Sequence, residues 1–490
     1  MRLLTAMFAL MAVSMEAQPR LVTLPSQSPM VSLRLVFLTG AACDPAGKEG
    51  LAALTAAMLA QGGSRRMTYQ EILDALFPMA VSVRAQVDKE MTTFSAETHA
   101  DNLDAFYQIL RGMLLEPGWR EEDLRRLRDD AVNFLRVSLR SNNDEELGKE
   151  VLYTQLYAGH PYGHHNVGRV SSLEKLTVED LRGFYARYYR QSNLIIGLAG
   201  GYPKDFPERV RKDFSRLPAG RPAFPKLPEP PAIRGLKVTM IEKDTCSVAY
   251  SIGFPIGVRR GDPDYPALLV AQSYFGQHRM SGGRLYERIR QLRGLNYGDY
   301  AYIEYFPRGM FQFEPDPNLG RQQQIFQIWI RPVEPATAHF TLRLAMYELE
   351  RLVRDGITKE QFERTRLFLS KYVNLLTRSK SAELGYAIDS LYYGIPDYNS
   401  YLKAALAQIS HGDVNRVIRR HLRPTDLHIV VVGKNCEQLR QKLLADEPSP
   451  MTYNAPKPPE ILEEDKIVER WKLGLKPEDI RIIPVEKIFE

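Results

Sequence analysis

The chain repeats itself. Leu156-Tyr-Ala-Gly-His-Pro-Tyr162 is echoed by Leu391-Tyr-Tyr-Gly-Ile-Pro-Asp397. Each is followed by an apolar run that ends in glycine, Asn193-Leu-Ile-Ile-Gly-Leu-Ala-Gly200 and Asp426-Leu-His-Ile-Val-Val-Val-Gly433. A helix-like pattern lies between each pair, residues 178–189 and 414–422. Matching points are offset by about 235 residues, a period that means duplicated domains rather than a solenoid. Both halves also open alike. Met30–Phe37 roughly alternates with period two, as a half-buried strand does, and Gly50–Ala60 is an Ala/Leu-rich helix. In the second half Ser247–Phe254 is a strand, and Tyr265–Tyr274 is a helix with Pro266 in its first turn, where proline is tolerated.

Strands followed by long helices in each half predict an α+β fold. We expect two homologous domains, each a mostly antiparallel sheet covered by helices, facing each other across a cavity. Pro218-Ala-Gly-Arg-Pro-Ala-Phe-Pro-Lys-Leu-Pro-Glu-Pro-Pro231 favours extended polyproline geometry and reads as a linker. The expected division is residues 18–217, a linker over 218–235, residues 236–437, and a tail over 438–490 that lies over the body. The strand reading extends to Tyr297–Phe306.

Length and composition narrow the function. A chain of 490 residues, 44% hydrophobic and 25% charged, can bury a sizeable core in two to four domains. The formal charge is only +6, and basic and acidic residues interleave, as in Arg120–Asp130. A nucleic-acid binder shows a one-signed stripe instead, so no nucleic-acid partner is expected. Cys43, Cys246 and Cys436 lie far apart without metal spacing, and the odd count leaves at least one thiol free. Arg2, the apolar run Leu3–Val13 and the small residue Ala17 describe a secretory signal over residues 1–17. No other stretch reaches the roughly 18 apolar residues of a membrane span. The mature protein is therefore expected to be exported, to a periplasm. GxSxG, Walker and Rossmann glycine patterns are absent.

Asp44-Pro-Ala-Gly-Lys-Glu-Gly-Leu-Ala52 resembles the segment that opens the metal-bearing helix of the insulinase/pitrilysin family of zinc metallopeptidases. His160-Pro-Tyr-Gly163, the run ending at Gly200, the duplication, and Gly283-Arg-Leu-Tyr-Glu-Arg-Ile-Arg-Gln-Leu-Arg-Gly-Leu-Asn-Tyr297 are similar to that family as well. The resemblance implies a metallopeptidase-like fold in both halves. The family's inverted motif, H-x-x-E-H, puts two histidines on one helical face to grip Zn²⁺, beside a glutamate that takes a proton from metal-bound water. The matching positions here are Ala53, Ala56 and Ala57. The window in which the family places a third ligand, Ala131–Asn143, holds no acidic residue, with Asp129 and Asp130 just upstream. The resemblance therefore implies a degenerate metal site and no metal bound by this chain.

Active relatives also use an arginine and a tyrosine, seven residues apart, from the second half. Arg290 and Tyr297 match them, and a guanidinium and a phenol are suitable donors to the oxyanion formed on an attacked carbonyl. The implied role is an accessory subunit whose Arg290 and Tyr297 serve the Zn of a homologous H-x-x-E-H partner acting on peptides. Spacing alone also fits a plain solvated helix face, since Arg290 runs with Arg284, Arg288 and Arg293. Two rival readings are a non-enzymatic scaffold in a larger envelope complex and a self-sufficient peptidase with relocated ligands. For the latter, His160, His164 and His165 are the nearest histidine cluster. Glu90, Glu97 and His99 lie in a second acidic–histidine stretch, where Glu97 and His99 share a strand face.

Overall fold

The computed structural model describes residues 18–490, so the predicted signal over residues 1–17 lies outside the described residues. Strands β1 (Arg20–Pro25), β2 (Met30–Phe37), β3 (Arg84–Val87), β4 (Thr92–His99) and β5 (Leu194–Gly200) make a five-stranded sheet ordered β1-β5-β2-β4-β3. Strands β6 (Leu236–Glu242), β7 (Val248–Ile256), β8 (Gly298–Tyr302), β9 (Gln324–Val333), β10 (Leu427–Gly433) and β11 (Ile480–Pro484) make a six-stranded sheet ordered β11-β6-β10-β7-β9-β8. Without β11 the two orders are the same. In each half the strand that ends in glycine, β5 or β10, inserts between the first two, parallel to one and antiparallel to the other. The sequence repeat is a repeat of topology.

The glycine-ended runs are the central strands. All of β5 is buried, as a strand covered on both faces must be. β2 is also less alternating than its sequence suggests, because six of its eight residues are buried. The cover on the second face comes from the opposite half. The Lys380–Tyr393 helix of the second half packs on β1, β2 and β5, and the Asp144–Leu156 helix of the first half packs on β7 and β10. Small residues permit the approach. A Cβ on Gly197 would stand 2.7 Å from Ile388 Cδ1, and one on Gly148 would stand 3.0 Å from Ser251 Oγ. Each half thus lends a helix to complete the other's core. A polar cleft remains between them, lined by Asp144 and Glu145 on one side and Lys243, Thr245 and Arg331 on the other.

The Pro-rich stretch carries no helix or strand between the Phe206–Phe214 helix and β6. Beyond residue 437 the chain adds β11 in parallel to β6. It then crosses to the first half, where Ile488 and Phe489 join that half's apolar core. Glu490 ends the chain 3.1 Å from Arg136 and 2.7 Å from Arg140. Cys43, Cys246 and Cys436 are unpaired. Among the described residues no helix is long and apolar enough to cross a membrane.

Candidate functional site

The Leu51–Gln61 helix is held at its first turn by Asp44. Its carboxylate accepts from the backbone N–H of Gly50 at 2.8 Å and of Ala52 at 2.7 Å. A carboxylate there satisfies orphan donors and complements the helix dipole. Gly50 has φ = 100°, and a Cβ on it would stand 2.4 Å from the Val167 carbonyl oxygen, so only glycine fits. On this helix Ala53 and Ala57 lie one turn apart on a half-buried face, while Ala56 is buried in the core. A methyl group offers no lone pair, and a catalytic zinc needs three protein ligands and an open position. These residues do not fit a metal. The neighbouring Glu121–Asn133 helix leaves Asp129 and Asp130 exposed, with Asp130 3.9 Å from Arg126. Among the described residues, no three His, Cys, Asp or Glu side chains gather to hold a metal ion.

Arg290 and Tyr297 come together. The Arg290 guanidinium donates to the Tyr297 carbonyl at 2.9 Å and lies over the Tyr297 ring at 4.1 Å and the Tyr286 ring at 5.0 Å. Tyr297 itself is 63% exposed. The neighbouring arginines behave differently and correct the expectation of a solvated face. Arg284 and Arg288 donate to Glu348 at 2.9 and 2.8 Å. Arg293 donates to Asp465 at 2.8 Å and Glu464 at 2.7 Å, with its side chain fully buried. The wide turn Tyr286–Gln291 is sandwiched between the Ala338–Asp355 and Pro459–Val468 helices, whose carboxylates neutralise three of the four cations. Arg290 has no ion pair among the described residues. Two residues past Tyr297, burial pushes the Asp299 carboxyl up to about 8.

The strand predicted over Tyr297–Phe306 is shorter, Gly298–Tyr302. Beyond it Tyr305 turns inward, donating to Glu150 of the first half at 3.0 Å, and leaves the ladder.

The histidine cluster does not converge. His160 Nε2 meets the Pro228 carbonyl at 3.0 Å, His164 Nε2 meets Asp44 at 3.1 Å, and His165 Nε2 lies 3.7 Å from Glu150. Burial pushes His165 down to about 3 and lowers His160 and His164. Glu97 accepts from Ser32 at 2.6 Å, while His99 caps a short turn through Asp101. Glu90 instead grips the other half, accepting from Gln322 N–H at 2.6 Å and Tyr392 hydroxyl at 2.9 Å.

Glu90 belongs to a buried charge cluster that sequence reasoning missed. Arg321 donates through Nε to Asp88 at 2.7 Å and stacks on Tyr305 at 3.5 Å, with both charges almost wholly buried. Burial lowers Lys89 and raises Glu150. The cluster joins the β3–β4 turn of one half to the β8–β9 loop of the other. Nothing in local sequence marks it, because every pair spans more than 60 residues.

Residues 20–168 match the family model for insulinase, peptidase family M16, and residues 175–369 match the model for the peptidase M16 inactive domain. A Helicobacter pylori protein named as a non-peptidase homolog is 22% identical over 413 residues, covering 83% of this chain and 89% of that protein. A probable mitochondrial-processing peptidase subunit beta from Arabidopsis thaliana is 24% identical over 44% of this chain and 40% of its own length. The fold matches the crystal structure of a peptidase M16 inactive domain from Pseudomonas fluorescens. That match has a TM-score of 0.74 and 22% identity, over 85% of this chain and 96% of that one. It also matches a chain of complex III from Candida albicans with TM-score 0.66 and 14% identity, over 84% and 93% of the two chains. The duplicated topology, the capped helix of alanines and both family models agree: the chain belongs to the insulinase family of peptidases, M16, with a second half of the family's inactive-domain type.

Proposed function

We propose that this chain is a zinc-less accessory subunit of an exported, periplasmic peptidase. In this reading a homologous partner carries H-x-x-E-H and its metal, and this chain completes the site on bound peptides with Arg290 and Tyr297. Ala53, Ala56 and Ala57 then mark the abandoned metal seat, and residues 18–217 and 236–437 are the two peptidase-like domains. One observation carries the reading. Of four arginines in the run, three are consumed by buried carboxylates, while Arg290 pairs with an exposed tyrosine. Packing accounts for the three, while Arg290 holds no carboxylate among the described residues and Tyr297 stays exposed. An exposed phenol beside a guanidinium free of a carboxylate can reach a carbonyl held by another chain.

The test mixes the purified chain with its H-x-x-E-H partner and follows peptide hydrolysis. Cleavage is expected only from the mixture. Tyr297→Phe in this chain should lower the rate by about 10²–10³-fold, the usual loss on removing one oxyanion donor. Full activity of the Phe variant refutes the donor role. Chelator-sensitive cleavage by this chain alone refutes the whole reading.

A further inference from the structure

The second half contains a cavity of about 110 Å³ between its Tyr265–Gly276 and Lys359–Leu376 helices. These helices follow β7 and β9 as Leu51–Gln61 and Glu121–Asn133 follow β2 and β4, so the cavity lies between the counterparts of the family's metal-bearing pair. Close-packed cores leave few voids larger than a water molecule. Here Leu269, Phe306, Leu369, Val373 and Leu402 wall an open space instead.

Its chemistry is apolar. The charges in its lining satisfy one another: Arg260 donates to Glu304 at 2.8 and 3.1 Å and to Asp389 at 3.3 Å, and lies over Tyr398 at 4.9 Å, while Asp316 pairs with Arg308. No charge there calls for a counter-ion, so the matching ligand group is hydrocarbon. An apolar cavity of about 150 Å³ in another protein takes benzene, so this one suits a single aliphatic or aromatic side chain.

His278, on the cavity wall, stacks at 4.7 Å on Tyr300, three residues along from Tyr297. The loop that brings Phe313, Pro315 and Asp316 to the cavity wall is pinned at both ends. Arg308 N–H donates to Glu146 at 3.1 Å and Asn318 N–H donates to Asp389 at 3.0 Å. Between the pins Phe311 and Phe313 are 72% and 66% exposed, and Phe313 lines the cavity.

We propose that this cavity is a side-chain subsite that seats one Leu-, Met- or Phe-sized residue of a peptide. The peptide class rests on the function proposed above, while the binding itself needs neither metal nor partner. The experiment uses the full chain alone and follows fluorescence anisotropy of a fluorescein-labelled nonapeptide of Gly, Ser and Ala with one central Phe. Its twin carries Ala instead, and decanoate is the free hydrocarbon probe. The Phe peptide should bind at least about tenfold more tightly than its twin. Val373→Trp, which fills the cavity, should abolish that preference at an unchanged melting temperature. If Val373→Trp fails to fold, Leu269→Trp fills it from the facing helix. Equal binding of the twins, a preference that survives filling, or binding of decanoate without the peptide overturns the proposal. Loss of hydrolysis in the mixed-chain assay leaves this binding untouched, so the two failures are told apart.

Discussion

Replacing Asp88 by Asn tests whether the two halves are locked by a buried charge pair. Asp88 and Arg321 sit 0% and 3% exposed, and Asp88 also accepts from Asn166 at 3.0 Å. Asn keeps the shape and removes the charge, which leaves a guanidinium desolvated in the interface. Breaking a buried pair from one side costs about 3–5 kcal/mol, whereas replacing both partners by apolar groups is often near neutral. At about 2.1 cal/mol/K per residue, a chain of 490 residues unfolds with an entropy on the order of 1 kcal/mol/K. The expected fall in melting temperature is therefore about 3–5 °C, read by scanning calorimetry. Asp88→Leu combined with Arg321→Met should recover more than half of it. An Asp88→Asn protein that melts within about 1 °C of the parent, or a double variant no better than the single, refutes the reasoning.

Two further outcomes follow from the same structure. Burial raises Asp299 from 3.8 to about 8, so the folded state keeps a proton that the unfolded chain releases. That stabilisation is fully present below the unfolded value and is lost as pH climbs through the folded one. Asp299→Asn removes this slope, so the variant should gain on the parent by roughly 4 kcal/mol between pH 5 and 8.5. Parallel melting-temperature profiles over that range contradict it. Deleting residues 488–490 strips Ile488 and Phe489, 7% and 8% exposed, from the first half's core. Burial of such side chains is worth about 1.5–3 kcal/mol each. Glu490 pairs with Arg136 and Arg140 at the surface, each pair worth about 1 kcal/mol or less. Truncation should thus lower the melting temperature by several times the effect of Glu490→Gln, and equal effects rule this out.

The duplicated topology was legible because its central strands are apolar on both faces and end in glycine, a pattern that survives divergence of everything around it. The exchange of helices was not. The Asp144–Leu156 helix opens Asp-Glu-Glu-Leu-Gly-Lys-Glu, which reads as a solvated face, yet Glu145, Glu146, Lys149 and Glu150 are all buried. Lys149 reaches Glu145 at 3.3 Å and stacks on Trp329 at 3.6 Å. Periodicity registers apolar burial only; charge burial depends also on partners distant in sequence. The arginine run failed for the same reason, since Glu348, Glu464 and Asp465 arrive from helices 60 or more residues away. The Arg290–Tyr297 spacing was readable, but the difference between Arg290 and its neighbours was not. β11 escaped notice because Ile480-Arg-Ile-Ile-Pro484 is short and ends in proline, which only an edge strand tolerates.

The Leu51–Gln61 helix separates scaffold from chemistry. Its cap by Asp44 and its left-handed Gly50 are what a metal-bearing helix would need, but here they hold three alanines. Both features have a sufficient cause in packing. The helix supplies Leu54, Met58 and Leu59, each no more than 2% exposed, to the first half's core, and losing its anchor would open that core with or without zinc. Retention of the frame around an empty chemistry therefore says nothing about catalysis. Function is better sought where a polar side chain is left over once packing and ion pairing are counted. By that criterion Ala53, Ala56 and Ala57 of the first half offer no such group, while the second half offers Arg290, without a carboxylate partner among the described residues, beside an exposed Tyr297.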